Sequence, residues 1–310
     1  YLYWFSADDS VRNWLWDINR VGDLMVTVGD HATVLTSHDG ALWNLEVVPE
    51  SATESILLGV GGTTNLLVAV GNHGQLLTSH NSWTNVVTQN DLGQAVTNKV
   101  NTLGVVWEVA DPKPTENDLQ GVAALGEMCV VTGGKGTVLT TSDGKQWSKH
   151  QAPTTGILTS VEAFKGRFVA TGEDGVILTS TNGADWTAQA SGTTEWLYRV
   201  RAFDDQLVAV GQAGTILTSA DGDTWAKRES GTGQWLNDVT QVGDAWHVVG
   251  ANGTVLTSSN LESWQAKGTI TGLSLYGTLA NDGQLLSVGL EGIILRKEII
   301  PRTTPILIRW

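Results

Sequence analysis

The chain has 310 residues, 41% of them hydrophobic, and a formal net charge of −14. That length supports a large core, and the acidic balance argues against nucleic acid or an anionic membrane as a direct ligand. No run of about 18 apolar residues occurs, so nothing reads as a membrane span; one cysteine, Cys129 in "MCVVTG", excludes an internal disulfide and reads as a buried small residue rather than a nucleophile.

The chain opens at Tyr1 rather than methionine, which points to a removed leader or a longer native chain. Its first segment, "YLYWFS" (1 to 6), stands ahead of a unit that then recurs seven times. The unit is anchored by a glycine: Gly29, Gly71, Gly133, Gly172, Gly211, Gly250 and Gly289, with a constant step of 39 residues from Gly133 onward. Fourteen residues before each glycine stands a leucine, from Leu15 to Leu275, and six after it another, from Leu35 to Leu295. A fixed period in this range marks a stack of one supersecondary unit.

Within a unit the predicted elements are strands. "LYRVRAF" (197 to 203), "QLVAVG" (206 to 211) and "TILTS" (215 to 219) are short, rich in Val, Ile, Leu and Thr, and bounded by Gly, Asp or Asn. A fourth strand starts near the tryptophan after "SADGDTW". Four antiparallel strands in about 40 residues make a propeller blade. Gly211 and Gly214 bracket a tight turn and are expected to supply positive φ; Asp221 is expected to accept backbone N–H groups, and Trp225 to cover the blade's outer edge. The tryptophan recurs at Trp43, Trp147, Trp186 and Trp264, with Trp83 taken as the early counterpart in the second unit. Trp4 precedes Leu15 by the 11 residues that separate Trp186 from Leu197. The expected fold is therefore all-β: a seven-bladed propeller of four-stranded antiparallel blades over 1 to 298, closed by the N-terminal strand pairing into the last blade. Deleting 1 to 7 should then destabilise it far more than trimming an ordinary terminus.

Two segments break the pattern. An insertion at 86 to 117 is placed between blades 2 and 3, on the face of the Gly-x-x-Gly turns, with Val105, Val106 and Trp107 as partner-binding candidates. A tail, 299 to 310, carries Ile306, Leu307, Ile308 and Trp310 as a second candidate contact, unless it folds back on the ring. A third feature is a set of aromatic and basic residues where inner strands begin: Trp14, Trp16, Trp196, Tyr198, Arg199, Arg201, Trp235 and Tyr276, a candidate binding site at the channel mouth that is equally consistent with packing between blades.

No specific catalytic constellation emerges. A sialidase-type site needs clustered arginines and a tyrosine with its glutamate, and only Tyr198, Arg199 and Arg201, with Arg20 further round, approach this. Glu162, Asp17 and Asp238 fall on inner strands, but no spacing selects a pair of them as acid and base. His31 and His73 share a turn position without a third ligand in register, and Asp39, Asp143 and Asp221 read as turn residues, so no metal and no cofactor are expected.

"VAVGQAGTILTSADGDTW" and "VATGEDGVILTSTNGADW" resemble the repeats of the photosystem II stability/assembly factor family and of related bacterial Asp-box (BNR-type) propellers. The resemblance covers the chain except 86 to 117 and 299 to 310. It implies a seven-bladed, non-catalytic propeller exported to a periplasm or thylakoid lumen, serving a membrane protein complex of transporter or reaction-centre type. Photosynthetic members carry an arginine-lined patch for their partner; here only Arg199 and Arg201, with Arg20, fall in comparable inner-strand positions. The expected function is an assembly factor or accessory subunit without a membrane span of its own; the alternative is a carbohydrate-binding or sialidase-type propeller.

Overall fold

The computed structural model describes residues 5–6, 12–89, 94–269 and 271–298. Trp4 and the tail residues Ile306, Leu307, Ile308 and Trp310 lie outside the described residues. The protein is an all-β propeller of seven four-stranded antiparallel blades. Blade 5 is typical: Leu197–Phe203, Gln206–Gly211, Ile216–Ser219 and Ala226–Arg228 lie side by side in chain order. The first strand of every blade touches the first strands of its two neighbours, and Leu275–Asn281 of blade 7 touches Leu15–Val21 of blade 1. These first strands therefore line the axis. In the last blade, Phe5–Ser6 lies beside Arg296 and Leu295.

Burial follows from that placement. The second strand of a blade has strands on both sides and a neighbouring blade on each face, so Leu24–Gly29 and Leu66–Gly71 are buried at every position. The fourth strand faces solvent, and Asn44–Leu45 is exposed. Apolar clusters form between blades: Leu15, Met25 and Leu35 of blade 1 pack with Leu286, Val288 and Ile294 of blade 7, and Val208 and Ile216 of blade 5 with Val239 and Val248 of blade 6. The repeating leucines are the centre of this packing, since a single blade has no second layer of its own.

The chain direction fixes two faces. First strands start on the upper face, which also carries the Gly-x-x-Gly turns and the connections between blades. The lower face carries the hairpins between first and second strands and the turns that precede each tryptophan. In the upper turns the expected role of the leading glycine is corrected. Gly211 is extended at φ −174°, and positive φ falls on Ala213 at 53° and Gly214 at 70°. Gly211 is required for space instead: a Cβ there would lie 1.9 Å from the carbonyl oxygen of Trp196.

The lower turns are held as the sequence suggests. In blade 5, Asp221 Oδ1 accepts the N–H groups of Asp223 and Thr224 at 2.9 and 2.8 Å, and Trp225 Nε1 donates to the Gly222 carbonyl at 3.0 Å. Those N–H bonds hold the Asp221 carboxyl down at about 2.

The insertion sits elsewhere than the spacing suggests. Trp107, not Trp83, is the tryptophan of blade 2: its Nε1 donates to the Gly104 carbonyl at 2.8 Å, and Gly104 N–H donates to Ser79 Oγ, as Gly40 N–H does to Ser37 Oγ in blade 1. Glu108–Val109 is the fourth strand of the blade. The extra residues form a hairpin, Trp83–Gln89 paired with Ala95–Asn101, inside the turn between third and fourth strands. The insertion thus lies within blade 2 on the lower face, not between blades 2 and 3 on the upper one. Trp107 is 4% exposed and belongs to the core shared by blades 1 and 2, which corrects its assignment as a contact residue. Val105 and Val106, 44% and 45% exposed, remain at the surface.

Candidate functional site

Each first strand carries the same irregularity. Pairing with the second strand shifts by one residue after the leading leucine, between Leu15 and Asp17, Leu197 and Arg199, and Leu236 and Asp238, as in the other blades. Such a bulge redirects the side chains around it. The residue before the leucine is fixed too. Its carbonyl accepts the first N–H of the upper turn: Trp14 from Asp30, Trp196 from Gln212 and Trp235 from Ala251, all at 2.9 Å. Whatever side chain stands there is therefore presented at the mouth by rigid backbone.

In blades 5, 6 and 1 this residue is a tryptophan (Trp196, Trp235 and Trp14); in blade 7 it is Ser274, and the aromatic residue there, Tyr276, follows the leucine, as Trp16 does in blade 1 and Tyr198 in blade 5. Trp16 and Tyr276 lie with ring centroids 4.4 Å apart, Trp14 meets Trp16 edge-on at 5.7 Å, and Trp196 and Trp235 lie 6.0 Å apart. Trp16 Nε1 donates to Asp30 Oδ1 at 2.7 Å, which locks its ring. Trp14 and Trp235 keep 42% and 37% of their surface in solvent. The structure thus gathers the aromatic candidates in one crescent.

Below them the channel is filled by charge. Arg199 of blade 5 reaches across the axis to Asp17 of blade 1 at 3.0 Å. Arg201 forks onto Asp238 of blade 6, Nε to Oδ1 at 3.0 Å and Nη2 to Oδ2 at 2.9 Å, and its Nη2 also lies 3.5 Å from Asp17. The carboxylates are held by backbone as well: Asp17 accepts the N–H groups of Ile18 and Val60, and Asp238 those of Val239 and Thr278. Each aspartate therefore clamps its own blade to the next one. Desolvation works against the charge on Arg201, but Asp238, Asp17 and Glu162 outweigh it and raise its pKa. The pairing of Arg201 is complete where it forks onto Asp238, while among the described residues Arg199 Nε has no hydrogen-bond partner and lies 3.9 Å from Asp238 Oδ1. Arg199 and Arg201 are thus occupied by internal partners beneath the mouth and offer no open cationic patch. The inner-strand register carried this signal, since Asp17, Arg199 and Asp238 all stand two residues after a leading leucine.

Towards the lower face a cavity of about 180 Å³ opens, with Glu162, Arg201, Asn19, Phe203 and Thr240 among its walls. Burial pushes the Glu162 carboxyl up to about 7, with Asp238 adding to this and Arg201 and Arg199 opposing it. Tyr198 goes the same way. Burial raises its hydroxyl to about 12, although the Arg199 guanidinium lies 6.0 Å from its ring centre. A nucleophilic tyrosine needs the opposite shift. Among the described residues no three of His, Cys, Asp and Glu converge to hold a metal, and no helix is long and apolar enough to cross a membrane.

Comparison with known proteins agrees on the fold. The model of the DUF6242 beta propeller domain matches residues 105–237. A structure of YCF48 bound to D1 peptide is 19% identical, covers 95% of this chain and 96% of its own, and superposes with a TM-score of 0.71. YCF48 from Cyanidioschyzon merolae is 16% identical, with coverage of 95% and 98% and a TM-score of 0.70. Virginiamycin B lyase from Staphylococcus aureus, at 12% identity, 96% and 98% coverage and a TM-score of 0.67, shares the same architecture. At these identities the likeness concerns the β-propeller alone. No curated protein matches the chain.

Proposed function

We propose that this protein is a non-catalytic propeller scaffold, an extracytoplasmic assembly factor or accessory subunit of a membrane protein complex, that presents its upper face to a protein partner. The observation that carries the reading is the filled channel. Among the described residues its two arginines are paired with aspartates of other blades and burial raises the Tyr198 hydroxyl, beneath a rigid aromatic mouth. Rigid Trp and Tyr surfaces are the usual anchors of protein recognition. The YCF48 structure with a bound D1 peptide supports a peptide-binding role for this architecture. The surface valines Val105 and Val106, and the tail residues Ile306, Leu307, Ile308 and Trp310, are proposed as secondary contacts.

The test is site-specific photocrosslinking in the native host, with the crosslinking residue at Trp235 and, as a control, at exposed Ala188 on an outer strand. A membrane-complex subunit captured from position 235 and not from 188 is the expected result. Equal capture at both, or none at 235, refutes the reading. A carbohydrate-binding role is favoured by one observation, the solvent-facing rings of Trp14 and Trp235; a glycan that competes with crosslinking at 235 would select it.

A further inference from the structure

The upper turn of each blade, Gly-x-x-Gly in all but blade 1, where it ends on Ala32, rests on the first strand of the next blade. The third residue of this turn is in left-handed backbone in every blade: His31, His73, Lys135, Asp174, Ala213, Asn252 and Glu291. The sequence around the ring is not random. The turns bearing His31, His73 and Lys135 rest on blades 2, 3 and 4, whose mouth positions are Ile56, Asp118 and Ile157. The turns bearing Asp174, Ala213, Asn252 and Glu291 rest on blades 5, 6, 7 and 1, which carry the aromatic crescent. One lysine and two histidines thus stand over the half of the mouth that carries Ile56, Asp118 and Ile157, and acidic or uncharged turn residues over the aromatic half. Glu291 is exposed beside the strand of Trp16, and Asp174 beside that of Trp196. Asp30, on the Trp16 indole, adds a third carboxylate. Arg12, exposed just before Trp14, is the one opposing charge on that stretch of chain.

From this segregation we infer that the aromatic half of the mouth takes a basic segment of a partner protein, with lysine or arginine side chains laid on Trp14 and Trp235 and balanced by Asp174 and Glu291. The inference rests on the scaffold reading and gives its partner a chemistry. A cation over an indole face is attracted by the ring quadrupole, and a flanking carboxylate adds to that attraction in the same place. The arginines that would have favoured an acidic partner are already spent below the mouth on Asp17 and Asp238.

Fluorescence anisotropy with three labelled peptides of equal length decides the matter: one of alternating arginine and glycine, one with glutamate in place of arginine, one with serine. The basic peptide should bind, and the double variant Asp174→Lys/Glu291→Lys should weaken it by about tenfold or more. Trp14→Ala/Trp235→Ala keeps the net charge and should weaken it about fivefold or more. Lys135→Glu, over blade 4 and away from the aromatic half, should not weaken it. Melting curves confirm that each variant folds. Preference for the glutamate peptide, no binding of the basic one, or binding indifferent to loss of both tryptophans would overturn the inference. If that happens while crosslinking at 235 still captures a subunit, the scaffold reading stands and only the charge assignment falls.

Discussion

Blades 2 and 3 and blades 1, 5 and 6 solve the same problem in different ways. Two residues after the leading leucine, the first strand comes up against the next blade. Blade 2 has Gly59 there, and blade 3 has Gly121. A Cβ on Gly59 would lie 1.8 Å from the Gln120 carbonyl oxygen, and one on Gly121 2.8 Å from the Val161 backbone nitrogen. Direct approach of backbones is the glycine solution. Blades 1 and 6 place Asp17 and Asp238 at this position and join the neighbouring backbones through a carboxylate. Blade 5 places Arg199 there, which leaves the interface and crosses the axis. Gly277 of blade 7 uses the glycine solution too, so the scaffold needs only close contact; Asp17, Arg199 and Asp238 are an addition in blades 1, 5 and 6, which also carry Trp14, Trp196 and Trp235.

The comparison is broken most severely by exchanging the two solutions. Gly59→Asp forces a side chain into a carbonyl and should cost more than about 4 kcal/mol, enough to prevent folding. Asp238→Ala, which leaves the Val239 and Thr278 N–H donors without their acceptor and removes the partner of Arg201, should lower stability by about 3–5 kcal/mol in urea unfolding.

The two tryptophans of blade 2 come next. Trp107→Ala opens a cavity in the core between blades 1 and 2 and should cost about 3 kcal/mol or more. Trp83, 60% exposed on the hairpin with Lys99 Nζ 5.5 Å from its ring centre, should tolerate alanine within about 0.5 kcal/mol. Equal effects would return Trp83 to the blade.

A third prediction concerns pH. The folded pKa of Glu162, about 7, stands above the usual 4.5. The folded state therefore holds the extra proton, and the contribution is favourable below about pH 4.5 and lost as pH rises through about 7. Glu162→Gln should stabilise the protein by about 2 kcal/mol at pH 8 and leave it unchanged near pH 4.5. A benefit independent of pH would mean that the carboxyl titrates normally.

The smallest effect sharpens the turn argument. Ala213 is exposed in left-handed backbone, and Ala213→Gly should raise stability by about 0.5–1 kcal/mol. Gly211→Ala, two residues earlier at the head of the same turn, should do the reverse and more, because the Trp196 carbonyl occupies the space.

The blade count and strand limits were legible because the leucines and glycines repeat at fixed offsets, and those offsets record packing between blades. The position of the insertion was misread for a definite reason. "GVVW" at 104 to 107 has the spacing of "GALW" at 40 to 43, but Trp83 lies nearer the expected offset, and the hairpin separates Ser79 from its turn partner Gly104. The aromatic crescent followed from register alone. The fate of the arginines did not, since Arg199 and Asp17 stand 182 residues apart in the chain and meet only because blades 1 and 5 face one another across the axis. Asp17, Asp238 and Glu162 were visible as inner-strand carboxylates, but what they touch is a property of the closed ring.

The central claim is that the channel charges are internal structure and that recognition belongs to the rim above them. A double-mutant cycle on Asp17→Asn and Arg199→Met, read by urea unfolding, tests it most directly. Coupling of about 2 kcal/mol or more is the result predicted for a pair that bridges the ring; additive effects would mean that Arg199 is free to meet a ligand, and would contradict the account.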